Sequence, residues 1–181
     1  IKLHESVASK LEIIDKIVIR TQEPAIRIIS KVGKLANAAD RDHCIQYMVA
    51  VGLIFGDLIA EYYEDDFHQE NQLIDKLRDK MIIEEDNQFS MDYLDPEKRS
   101  IANAVQVFFN DGTCSDDIQI EYPIGHKKRR EEGIPLLEEK FWNNLNTCFD
   151  KDKSKLIYDL CLDQEKLEKT KVHEFMELFV K

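Results

Sequence analysis

The chain lacks a basic balance, a long apolar run and each of the short motifs that mark nucleotide or acyl-transfer sites. Its 181 residues carry 25 Lys and Arg against 36 Asp and Glu, a net charge of -11. Neutralising phosphates needs a basic face, and the dense cation run Lys127-Lys128-Arg129-Arg130 is followed at once by Glu131 and Glu132, which excludes a nucleic-acid binder. No apolar stretch approaches the ~20 residues of a membrane span. The longest candidate, Met48 to Ala60, is interrupted by Gly52, Gly56 and Asp57. Walker, GxGxxG and GxSxG motifs are missing. Cys44, Cys114, Cys148 and Cys161 show no CxxC spacing and there is no secretory leader, so they read as reduced thiols of an intracellular protein without a metal site. The chain begins Ile1-Lys2-Leu3-His4 without methionine, which sets the expectation of a fragment.

What is present is enough for one good core or two small ones, with 43% hydrophobic and 34% charged side chains. Ile13, Ile14, Ile17, Val18 and Ile19 form a β-branched cluster closed by Pro24, which predicts a strand. A short helix or turn over 25–29 follows. Asn37 and Asp40 are N-cap candidates for a helix from Ala39 to Phe55, the expected core element. The spacing of Leu73, Ile74, Leu77 and Met81 predicts an amphipathic helix over 69–81, with Asp75, Lys76, Arg78, Asp79 and Lys80 facing water. Met81 to Glu85 reads as a short strand. Val105, Val107 and Phe109 alternate with polar neighbours, Asp111-Gly112 follows, and Ile118, Ile120 and Tyr122 alternate again, which predicts a hairpin. Helices are expected over 136–149, 154–161 and 172–180. The fold class is therefore α+β, with a mixed α/β unit over 1–125 and a helical segment over 126–181.

Two blocks carry the chemistry. On a continuous helix His43 and Tyr47 lie four apart on one face, where an imidazole and a phenol can move protons or simply pack. In the second block, Tyr122 to Pro135, His126, Lys127, Lys128, Arg129 and Arg130 could grip a carboxylate-rich ligand, and for Arg41, Arg129 and Arg130 carboxylate binding stands against ion pairing between domains. The alternative is a solvated helix start with local ion pairs to Glu131, Glu132, Glu138 and Glu139.

The stretches ADRDHCIQYMVAVGLIFGDL, YLDPEKRSIANAVQVFFNDGT, EYPIGHKKRREEGIPLLEEKF and VHEFMELFV together resemble the C-terminal part of the MmgE/PrpD family. The YPIGH and GIP elements are similar to its dehydratase branch rather than to its decarboxylase or epimerase branches. The resemblance implies a small lid-type domain with a β-hairpin, then a helical return segment that packs on an absent all-helical N-terminal domain. It implies a hydro-lyase that converts 2-methylcitrate to 2-methyl-cis-aconitate in propionate breakdown, with no cofactor and no iron–sulfur cluster. The implied partners are a tricarboxylate substrate, the missing helical domain and a second copy in a dimer, with no nucleic acid and no membrane. The implied compartment is bacterial cytoplasm or mitochondrial matrix. A family tyrosine in the smaller domain faces the shared cleft and matches Tyr47, which implies a phenol acid or substrate-orienting role, with His43 as a neighbour. The chain alone is then expected to be inactive and to self-associate through Leu137, Phe141, Trp142, Leu145, Phe175 and Phe179. Two alternatives stay open: a non-enzymatic α+β binding module, and a family member acting on citrate or cis-aconitate.

Overall fold

The computed structural model describes residues 1–180, and these form two compact units, Ile1–Tyr122 and a second from Pro123 onward. The first unit is α+β. Its strands are β1 (Ile14–Thr21), β2 (Met81–Glu85), β3 (Asn103–Phe109) and β4 (Ile118–Ile120), in the sheet order β2-β1-β3-β4. Its helices are α1 (His4–Val7), α2 (Glu23–Ile29), α3 (Ala38–Asp42), α4 (Ile45–Phe55), α5 (Asp65–Glu70), α6 (Leu73–Arg78) and α7 (Asn87–Leu94).

β1 is the hub of the sheet. It pairs parallel with β2, Ile17 opposite Met81, and antiparallel with β3, Ile17 opposite Val107. Period-2 alternation turns Ile17, Ile19 and Thr21 to the buried side, and Val107 and Phe109 of β3 join them. Over this layer pack Tyr47, Ala50, Val51 and Leu53 of α4 with Ile74 and Leu77 of α6. Phe89 of α7 forms a smaller cluster with Ala102 and Ala104. The hairpin holds: Val105 pairs with Ile118, and Gly112 takes φ +83° in the turn after Asp111, whose carboxylate accepts from the Thr113 amide at 2.9 Å.

Two predicted helices are broken. The stretch 39–55 divides at His43 and Cys44, so His43 and Tyr47 do not share one helix face. The cause lies outside the segment. Cys44 is fully buried, and the Gln46 side chain accepts from the Lys31 amide at 3.2 Å and donates to Ser30 Oγ at 3.0 Å, which draws the chain out of helical geometry. The stretch 69–81 divides at Asn71, whose side-chain amide donates to the Phe67 carbonyl at 2.7 Å and competes with helix continuation. Arg78, expected in water, is buried, because it falls four residues after Ile74 on the same stripe.

The second unit holds α8 (Arg130–Cys148), α9 (Lys151–Leu162), α10 (Gln164–Lys169) and α11 (Val172–Glu177). α8 starts six residues before the predicted start at Leu136 and carries Pro135 in its second turn. Phe141 and Trp142 pack on Tyr158 with centroids 5.9 and 5.4 Å apart, and Phe149 and Phe175 meet Phe179. Leu145, expected on an open apolar face, is buried within this chain, whereas Leu137 is exposed. Among the described residues no helix is long and apolar enough to cross a membrane.

Candidate functional site

The first unit contains a polar cleft of about 600 Å³ between the segment that precedes α3 and the pair α5–α6. Gly33, Lys34, Leu35 and Ala36 form one wall, and Arg41, Asp65, His68, Asp75, Arg78 and Asp79 supply the charged and titratable groups. A second groove of about 300 Å³, lined by Leu3, Met48, Leu53, Val105 and Ile118, is apolar and offers no comparable chemistry.

Arg41 is the best-placed cation of the polar cleft. Asn37 caps α3 by accepting from the Asp40 amide at 2.9 Å, and α3 delivers Arg41 with only 2% of its surface exposed. Its Nε donates to the Tyr63 carbonyl at 2.7 Å, and its Nη2 pairs with Asp65. Nη1 has no hydrogen-bond partner among the described residues and is not sealed from solvent. A guanidinium held by two of its nitrogens with a third open is suited to a carboxylate.

Tyr47 does not line the cleft and is fully buried. Its hydroxyl donates to the Tyr62 carbonyl at 2.6 Å, and its ring lies against Tyr63 and edge-on to His68. Burial pushes its pKa up to about 12, against a smaller opposing effect of Arg41. The folded state therefore holds this proton more tightly than the unfolded chain. The stability it contributes is complete below pH ~10 and is lost as pH rises through about 12. Unfolding midpoints measured across that alkaline range are expected to fall for the parent, with a shallower fall for Tyr47→Phe.

Of the remaining sequence candidates, His43 belongs to the first unit and does not line the cleft, and His126, Arg129 and Arg130 belong to the second unit. His43 is exposed at the break between α3 and α4, its Nδ1 2.5 Å from Asp42 Oδ1. His126 accepts from the Lys128 amide at 3.2 Å, Arg129 pairs with Glu132 one turn on, and Arg130 opens α8. Sequence reasoning missed His68, Asp75 and Arg78, which line the cleft together. Arg78 had a signal, its position on the Ile74–Leu77 stripe. Among the described residues no group of three or more His, Cys, Asp or Glu could hold a metal ion.

The model of the MmgE/PrpD C-terminal domain matches residues 1–164. The chain belongs to the MmgE/PrpD family. This MmgE/PrpD domain is 51% identical over 167 residues to 2-methylcitrate dehydratase of Salmonella typhimurium, a match that covers 92% of the chain and 34% of that relative. It is 47% identical to the mitochondrial 2-methylcitrate dehydratase of Yarrowia lipolytica, over 93% of the chain and 32% of the relative. It is 42% identical to alkylcitrate dehydratase phiI of a fungal species, over 94% and 33%. The MmgE/PrpD chain thus spans about a third of the length of the curated relatives it matches.

Proposed function

We propose that this chain is the C-terminal domain of a 2-methylcitrate dehydratase, a hydro-lyase that removes water from 2-methylcitrate to give 2-methyl-cis-aconitate in propionate breakdown. The observation that carries the reading is identity of about half with 2-methylcitrate dehydratases over nearly the whole chain. The open arm of Arg41 supplies a matching chemical feature, a donor for one substrate carboxylate.

Dehydration beside carboxylates needs a base for the carbon-bound proton, an acid for the departing hydroxyl and donors for the charge that develops on the carboxylate. This domain supplies part of that set. Lys34, Arg41 and Arg78 in the cleft lining are balanced by Asp65, Asp75 and Asp79, three cations against three carboxylates. A neutral cleft does not hold a tricarboxylate by itself, so the remaining countercharge comes from the all-helical domain that the family resemblance implies. Tyr47 enters as the phenol acid or substrate-orienting group. A phenol is protonated at neutral pH with or without its upward shift, and Tyr47 would have to exchange the Tyr62 carbonyl for substrate. His43, on the exposed turn between α3 and α4, is assigned a secondary catalytic role separate from Tyr47, and His126, Arg129 and Arg130 are assigned to carboxylate binding in the complete enzyme. The reading places the enzyme in bacterial cytoplasm or mitochondrial matrix, as a dimer.

The name of the alkylcitrate relative supports a second reading, a citrate with another alkyl substituent as substrate. The experiment that tests the function follows the ultraviolet absorbance of the unsaturated product from 2-methylcitrate. The full-length protein is expected to be active and this chain alone inactive, because binding and chemical groups act together rather than additively. No turnover of 2-methylcitrate by the full-length protein would overturn the assignment.

A further inference from the structure

We propose that Asp75 and Arg78 are positioning residues of the Arg41 cleft, holding its wall in the shape that receives a substrate carboxylate. This rests on the reading of the cleft as a carboxylate site. One carboxylate serves two partners: Asp75 Oδ2 lies 2.9 Å from His68 Nε2, and Oδ1 pairs with Arg78 Nη1. Arg78 then reaches across to the opposite wall, where its Nη2 donates to the Gly33 carbonyl at 3.0 Å and to the Lys31 carbonyl at 3.5 Å. The wall is tied at its other end by Asp40, which accepts from the Ala36 amide at 3.0 Å and pairs with Lys31 at 3.3 Å. Asp40 is the residue before Arg41. Hydrogen bonds therefore tie α5 and α6 to the wall and the wall to Asp40, and the backbone alone carries the connection from Asp40 to Arg41.

Stability alone does not account for this arrangement. An ion pair whose carboxylate keeps 36% of its side chain in water contributes little net stability. Arg78 is also left with its Nε buried and without a partner, a desolvation penalty that an apolar residue would not carry. What the planar fork provides is geometry: two nitrogens fix the carboxylate on one side and the wall carbonyls on the other.

The test is made in the full-length protein with Asp75→Asn, Arg78→Lys and their double variant, reading KM and kcat for 2-methylcitrate together with thermal unfolding. The expected result is a KM raised about tenfold with kcat within about threefold of the parent. The double variant is expected to be no worse than the more impaired single variant, since both break one path. Lysine keeps the charge of Arg78 but not the fork, so Arg78→Lys carries the test if Asp75→Asn does not fold. KM within about twofold of the parent in the folded variants, with only the unfolding temperature lowered, would overturn the proposal. Arg41→Gln separates the two readings. If it raises KM while the Asp75 and Arg78 variants do not, positioning fails and the cleft stands. If none of the three changes KM, the carboxylate site fails, and positioning with it.

Discussion

Replacing Arg41 by glutamine in the full-length protein is expected to raise KM for 2-methylcitrate about a hundredfold, the equivalent of about 2.7 kcal/mol. That is the upper end of what a hydrogen bond to a charged group contributes, and it applies here because the guanidinium is 2% exposed and two of its nitrogens are already bonded to protein. The effect on stability is smaller. Removing one member of a buried ion pair is most damaging when the partner left behind is also buried, but Asp65 has 62% of its side chain in water and is resolvated when Arg41 is lost. The amide of glutamine can still donate to the Tyr63 carbonyl. The expected loss is about 2 kcal/mol, read as a lower denaturant midpoint with an unchanged slope. A large change in KM beside a modest change in stability distinguishes a ligand-facing cation from a structural one.

Gly133→Ala is expected to destabilise the second unit by about 2–4 kcal/mol, a larger effect on folding than that of Arg41→Gln. A Cβ at position 133 would land on the Ile124 carbonyl oxygen, with the Ile124 carbonyl carbon 3.2 Å away. The obstacle is backbone, so no rotamer change relieves it. Either the first turn of α8 or the Ile124–Gly125 segment must move. The Tyr122 to Pro135 stretch thus has a structural reason for at least one of its unusual residues: the chain passes close against the first turns of its own helix, and only glycine leaves room. Thermal unfolding of Gly133→Ala beside Gly125→Ala checks this, since a Cβ at Gly125 meets nothing within 4 Å. Equal stability of the two variants would contradict it.

Features set by local rules were legible in the sequence. The hairpin follows from period-2 alternation around an Asp-Gly turn, and β1 from a run of β-branched residues that alternates between two environments. The parallel pairing of β1 with β2 was not legible, because some sixty residues separate Thr21 from Met81 and no local pattern encodes their register. The break in the 39–55 helix was hidden for the same reason, since its causes are the Ser30 and Lys31 groups that bond Gln46. α7 and α10 escaped because they are short and stabilised at their ends: Asp86 caps α7, Asp163 caps α10, and Lys169 pairs with Glu165. At the cleft, Arg41 stands in one conspicuous block, whereas Arg78 was assigned to water on its charge although its helical position pointed inward. Charge outweighed periodicity in that reading, and a buried, carbonyl-bonded guanidinium is the case in which it should not.

The most direct test of the account is the dependence of product absorbance on 2-methylcitrate concentration for the full-length protein and its Arg41→Gln variant, measured side by side. The parent is expected to be active, and the variant to show a kcat/KM about a hundredfold lower that arises mainly in KM. A folded variant with the parent's kcat/KM would show that the cleft takes no substrate carboxylate, and would contradict the account.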